Sequence, residues 1–160
     1  MTLVPSVMFS GMKISLQERA RSAIGPRWTS ELQQFYGLAR RQLERFRGGE
    51  IDTAGDGYFA TFDGPARAVR CAQTLAKEVS QLGLTIRAGL HTGEVEVIGD
   101  KVGGIAVHIG ARIAGHAGPG EVVVSNTVKD LVAGSGLQFE DRGVRPLKGV
   151  PGEWRLYRAA

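Results

Sequence analysis

Cysteine is almost missing from this chain. Cys71 is the only one, so no intrachain disulfide can form and a reducing, cytoplasmic setting is expected. No apolar run reaches the roughly 18 residues that span a bilayer, so no membrane partner is expected. The stretch from Met1 to Ser10 carries no basic residue ahead of its apolar part, unlike a secretory signal peptide. Acids are absent from the N-terminal region, and Glu18 is the first in the chain. Nor is there an arginine-rich block or a basic stripe interleaved with aromatics, so a net charge of +4 does not by itself point to nucleic acid. Arg40, Arg41, Arg45 and Arg47 gather near one expected helix end, where the helix dipole favours cations anyway. A basic balance suits phosphate-bearing small ligands equally well. Repeats, linkers and low-complexity tracts are also lacking, and the chain reads as one domain over residues 1–160.

What is present is ordinary globular material. A hydrophobic content of 42% and a charged content of 22% are those of a soluble domain with a sizeable core. The 23 glycines are dispersed, which signals tight turns rather than low complexity. Val4 to Ser10 reads as a first strand ending at Gly11, and Leu16 to Ile24 as a short helix closed by Gly25. Pro26 then opens a long helix whose Trp28, Leu32, Phe35, Ala39, Leu43 and Phe46 recur at helical spacing, a core stripe. Asp63-Gly64-Pro65 opens a second helix, with Ala68, Cys71, Ala72, Leu75, Val79 and Leu82 inward and Gly83 as stop; Cys71 there reads as an inert buried thiol.

Leu84 to Leu90 alternates as a strand, His91-Thr92-Gly93 reads as a turn, and Val95 and Val97 lie on the way back. Gly103-Gly104 opens a helix carrying Ile105, Ile109, Arg112, Ile113 and His116. Glu121 to Val124 reads as a buried strand, and Ser125 to Val132 as a helix capped by Ser125 or Asn126. Leu137 to Asp141 and Trp154 to Tyr157 close the chain as strands. The order β-α-α-β-β-α-β-β-α-β-α-β-β predicts an α+β class: a ferredoxin-like split β-α-β sandwich.

Residues 49–63 read as a hairpin pinched at Gly55-Asp56-Gly57. An acid between two glycines on a rigid tip is well placed to meet a ligand, because the glycines let it approach the backbone. Turn statistics equally allow a solvated Asp56 with no role. The hairpin alone leaves both readings open.

Five segments taken together resemble the catalytic domain of class III nucleotide cyclases, the adenylate and guanylate cyclase family of bacterial type. They are Val7-Met8-Phe9-Ser10-Gly11, Asp52-Thr53-Ala54-Gly55-Asp56-Gly57, Arg87-Ala88-Gly89-Leu90-His91-Thr92-Gly93-Glu94, Gly104-Ile105-Ala106-Val107-His108-Ile109-Gly110-Ala111-Arg112, and Leu147-Lys148-Gly149. They stand in family order and spacing over nearly the whole chain. The resemblance implies an antiparallel homodimer, or a heterodimer with a competent cyclase domain, with nucleotide sites at the interface. It implies attack of a ribose 3′-hydroxyl on the α-phosphate of ATP or GTP, releasing pyrophosphate, with two Mg²⁺ or Mn²⁺ ions held by two aspartates.

On that resemblance Asp56 is one metal aspartate. The position of the other is Gly11, and no acid on that strand replaces it, so a weakened metal site is expected. Asp52 and Lys101 fall on the base-reading pair with their signs inverted. Asp52 can accept from guanine while Lys101 donates to O6, or the two can pair and block the pocket. Arg112 falls on the arginine that stabilises the transition-state phosphate, and His108 on the position that orients the ribose. Lys148 falls on the lysine for the β- and γ-phosphates, and Phe9 and Ser10 on backbone contacts to phosphate and metal.

Three readings follow. The first is a slow cyclase. The second is a degenerate cyclase domain that dimerises and binds nucleotide with little chemistry. The third is a ferredoxin-like binding module with no nucleotide function, against which the five-segment coincidence weighs. Gly11 and the inverted pair favour the second over the first.

Overall fold

The computed structural model of the chain describes residues 6–18, 26–54, 57–98, 101–103 and 105–160. In chain order these form β1 (Ser6–Glu18), α1 (Pro26–Phe46), β2 (Gly49–Ala54), β3 (Gly57–Phe62), α2 (Pro65–Gln81), β4 (Leu84–Ile98) and β5 (Lys101–Gly103). Then follow α3 (Ile105–Ala114), β6 (Val122–Ser125), α4 (Asn126–Leu131), β7 (Phe139–Pro146) and β8 (Glu153–Ala159). The strands make one sheet in the order β2-β3-β1-β4-β6-β8-β7, with β5 pairing off β4. The β4–β6 pair is parallel and the other ladders are antiparallel. The expected α+β class is what the chain adopts.

Alternation along the strands sorts the side chains onto two faces. Met12 and Ile14 of β1, Tyr58, Ala60 and Phe62 of β3, and Leu84, Ile86, Ala88 and Leu90 of β4 share one buried cluster. Phe35, Ala39 and Leu43 of α1 and Ala68, Val69, Cys71, Ala72, Leu75 and Val79 of α2 complete it. The opposite face carries a smaller cluster, in which Ile109, Ile113 and Ala117 meet Val123, Leu147 and Leu156. β6 is buried on both faces, which is why Val122-Val123-Val124 is an unbroken apolar run.

Local signals set the helix ends. Gly64, extended at φ −142°, precedes Pro65 at the start of α2, and Gly83 at φ +77° follows its end. At the end of α1, Arg47 takes φ +59°, the left-handed region, while Gly48 N–H donates to Leu43 O at 2.8 Å. The helix therefore closes in a Schellman motif with arginine where glycine is usual.

Three expectations are overturned. The first strand does not end at Gly11, and Leu16 does not start a helix: β1 runs on to Glu18, paired with β4 along its whole length. The alternation Met12-Lys13-Ile14-Ser15 suits a strand, and both neighbours offer ladders; positions 19–25 lie outside the described residues. The turn expected at His91-Thr92-Gly93 is absent, because β4 continues to Ile98. His91 and Thr92 are buried there, paired with Gly11 and Ser10 of β1. Lastly, Leu82 faces outward at 42% exposure, as the C-cap of α2 rather than part of its inner stripe.

Candidate nucleotide site

Gly11 sits mid-strand, in register with Thr61 of β3 on one side and His91 of β4 on the other. Directly opposed residues in an antiparallel ladder share a face. The row Thr61–Gly11–His91 therefore lies on the α3 side of the sheet, opposite the Met12 and Ile14 side. It contains a hydroxyl, no side chain and an imidazole, and no carboxylate.

His91 is buried and well held. Its Nδ1 lies 2.7 Å from Ser125 Oγ, and its ring meets Trp154 edge-on, with centroids 5.4 Å apart at 87°. Ser125 is the N-cap of α4 and accepts from Val128 N–H at 3.3 Å. Burial pushes the His91 imidazole down to about 4, so the ring is neutral near pH 7. We assign the Ser125 hydroxyl as donor to Nδ1, which leaves the ring proton on Nε2.

α3 lies over this part of the sheet because two glycines make room. A Cβ on Gly89 would fall 2.2 Å from Ala114 N, and one on Gly93 would fall 2.9 Å from Ala106 Cβ. Ile109 and Ile113 anchor the helix in the smaller cluster, which leaves His108 and Arg112 exposed. Four residues apart, they share one stripe. Leu147, buried in the same cluster, carries the exposed Lys148 beside it. His108 and Arg112, and Lys148 far from them in sequence, are thus mounted on one small apolar cluster.

Other candidates are placed less fully. Only the backbone is described for Phe9 and Ser10, which pair with Gly93 and Thr92, for Asp52, opposite Phe59, and for Lys101, opposite Ile98. Asp56 lies outside the described residues, although β2 and β3 flank it as the expected hairpin. Among the described residues no group of three or more His, Cys, Asp or Glu side chains could hold a metal ion. Cys71 is buried, with its thiol pushed up to about 12, matching an inert core thiol. Among the described residues no helix is long and apolar enough to cross a membrane.

His91, Ser125 and Trp154 emerge as a unit only from the fold. The sequence held a weak signal for it, since Gly89, His91 and Gly93 alternate with Ala88, Leu90 and Thr92, but without apolar contrast they read as a turn.

Residues 5–158 match the adenylate and guanylate cyclase catalytic domain family. An uncharacterized protein of Mycobacterium tuberculosis is 36% identical over 104 residues, covering 62% of this chain and 36% of that protein. The chain spans about a third of the length of such curated relatives. Among solved structures, the adenylyl cyclase CyaB of P. aeruginosa superposes with a TM-score of 0.88 at 16% identity, covering 99% of this chain and 96% of that one. An adenylate/guanylate cyclase/hydrolase of Silicibacter pomeroyi gives 0.87 at 21% identity, covering 98% of each chain.

Proposed function

From the premise that this chain belongs to the adenylate and guanylate cyclase catalytic domain family, we propose that it is a degenerate cyclase domain that binds a nucleoside triphosphate and turns it over weakly or not at all. One observation carries this: Gly11 stands in the row Thr61–Gly11–His91, where the family resemblance calls for a metal aspartate. Mg²⁺ and Mn²⁺ favour anionic oxygen ligands, and a hydroxyl beside a neutral imidazole does not replace a carboxylate. Nδ1 of that imidazole is moreover engaged by Ser125. This mid-strand row does not fit a two-carboxylate metal centre, so no catalytic step is assigned through one.

Binding is the better supported half. Lys148, exposed beside Gly149, offers a mobile cation to the β- and γ-phosphates, and Arg112 offers a planar fork to a phosphate oxygen. His108, one turn before Arg112, is the residue we assign to the ribose. Asp52 on β2 and Lys101 on β5 fall on the base-reading pair with inverted signs, and an acid that accepts with a base that donates to O6 suits guanine rather than adenine. Phe9 and Ser10 contribute backbone contacts, and Asp56 is the remaining metal carboxylate, for a weakened Mg²⁺ or Mn²⁺ site. The working unit is a homodimer or a pair with a competent cyclase domain, whose carboxylates would complete a site.

The test is direct. The protein is incubated with Mn²⁺ and ATP or GTP, and cyclic product is measured. Little or no product, with GTP bound more tightly than ATP by calorimetry, is the expected result. Robust turnover that vanishes in D56A overturns the degenerate reading; equal or absent binding of the two nucleotides overturns the guanine assignment.

A further inference from the structure

We propose that Trp154 is a positioning residue for Lys148, fixing the turn between β7 and β8 against the sheet; this rests on the reading of Lys148 as the polyphosphate contact. The turn covers residues 147–152 and is loose by composition. Gly149 and Gly152 take φ +78° and +86°, and a Cβ on either would meet nothing within 4 Å. Lys148 itself is exposed. Such a segment, left alone, samples many conformations, and a lysine on it must be ordered each time a ligand binds.

Two anchors restrain it. On the first half, Leu147 is buried with Ile109, Ile113 and Leu156, and Val150 N–H donates to Leu147 O at 3.0 Å. On the second half, the Trp154 indole N–H donates to Pro151 O at 3.2 Å. The same indole stands edge-on to His91, and His91 is a poor candidate to move: it lies mid-strand opposite Gly11, with Nδ1 on Ser125. A continuous path therefore joins the rigid sheet to the turn, through His91, Trp154 and Pro151. Its physical effect is to pre-order the segment that presents Lys148, so that less conformational freedom is lost when phosphate arrives. Fixing even one residue's backbone beforehand corresponds to about tenfold in affinity.

Trp154 touches no ligand in this scheme and acts through Lys148 alone, and its influence must therefore appear with the β- and γ-phosphates and not with the base, ribose or α-phosphate. Binding of GTP and of GMP in the same Mg²⁺ buffer is measured by calorimetry for the wild type, K148A, W154L, W154F and the K148A/W154L pair. K148A is expected to weaken GTP by about tenfold and leave GMP unchanged. W154L should weaken GTP selectively as well, and W154F, which keeps a ring against His91 but lacks the indole donor, should do so to a smaller extent. The double variant should bind GTP no more weakly than K148A, because residues acting through one contact are not additive.

Tryptophan variants that keep the wild-type ratio of GTP to GMP affinity, or weaken both ligands in parallel, overturn the proposal while leaving the Lys148 reading intact. A wild type without any preference for GTP over GMP removes the Lys148 reading and the proposal with it. Should W154L fail to fold, W154F decides.

Discussion

The backbone nitrogen of Ala114 lies 2.2 Å from where a Cβ on Gly89 would be, and the carbonyl oxygen of Gly110 lies 2.6 Å from it. α3 thus rests on the bare backbone of β4, and the stripe that carries His108 and Arg112 takes its height above the sheet from a missing methyl group.

G89A is therefore expected to destabilise the domain by about 3 kcal/mol, at the upper end of overpacking costs, because the obstruction is backbone and cannot rotate away. Gly37, inside α1 with nothing within 4 Å of its would-be Cβ, is the contrast. G37A should stabilise by about 0.5–1 kcal/mol through helix propensity. Urea unfolding of both variants checks the pair; similar effects would show that α3 does not sit on Gly89.

The buried imidazole of His91 makes stability depend on pH. Its folded-state value is lowered to about 4 from 6.5, so below pH 6.5 the unfolded chain binds a proton that the folded chain refuses. Stability from this group is complete above pH 6.5 and is lost as pH falls toward 4, by about 3 kcal/mol in all. Denaturant midpoints measured across that window should fall in the wild type and flatten in H91Q. An NMR titration placing the His91 midpoint near 6.5 would contradict the burial argument.

At the end of α1, Arg47 holds φ +59° where a side chain is strained. R47G relieves that strain at the cost of a more flexible unfolded chain, and a net gain of about 0.5–1 kcal/mol is expected. A loss of stability measured by calorimetric melting would mean that the arginine side chain contributes more than its backbone costs.

On the proposed reading, Gly11, between Thr61 and His91, is the position where a carboxylate would supply a second metal acid. G11D is expected to bind Mn²⁺ about tenfold more tightly than the wild type, with the gain abolished in a D56A background. Titration calorimetry with Mn²⁺ alone reads this out. No gain in G11D would show that β1 is not aligned with the family strand that carries the aspartate.

Much of the fold was legible because strong local signals agreed with it. The stripes of α1 and α2 report burial through periodicity, the glycines between β2 and β3 report a turn, and the unbroken valine run of β6 reports a strand covered on both faces. The failures at Leu16 and at His91-Thr92-Gly93 both fall on long strands of the sheet. In both places strand identity comes from ladder partners remote in sequence; Gly89, His91 and Gly93 also lack apolar contrast, whereas the alternation from Met12 to Gln17 was there to be read as a strand.

The residues of the proposed site could be named for a related reason: Arg112, His108, Lys148 and the glycine at position 11 are matters of identity and order, which the chain carries in itself. What only the tertiary structure decided is proximity. It set His91 beside Gly11, placed Trp154 against His91, and mounted Arg112 and Lys148 on one apolar cluster. Such contacts join strands and helices tens of residues apart, through ladder register and packing, and no local pattern in the sequence encodes a register.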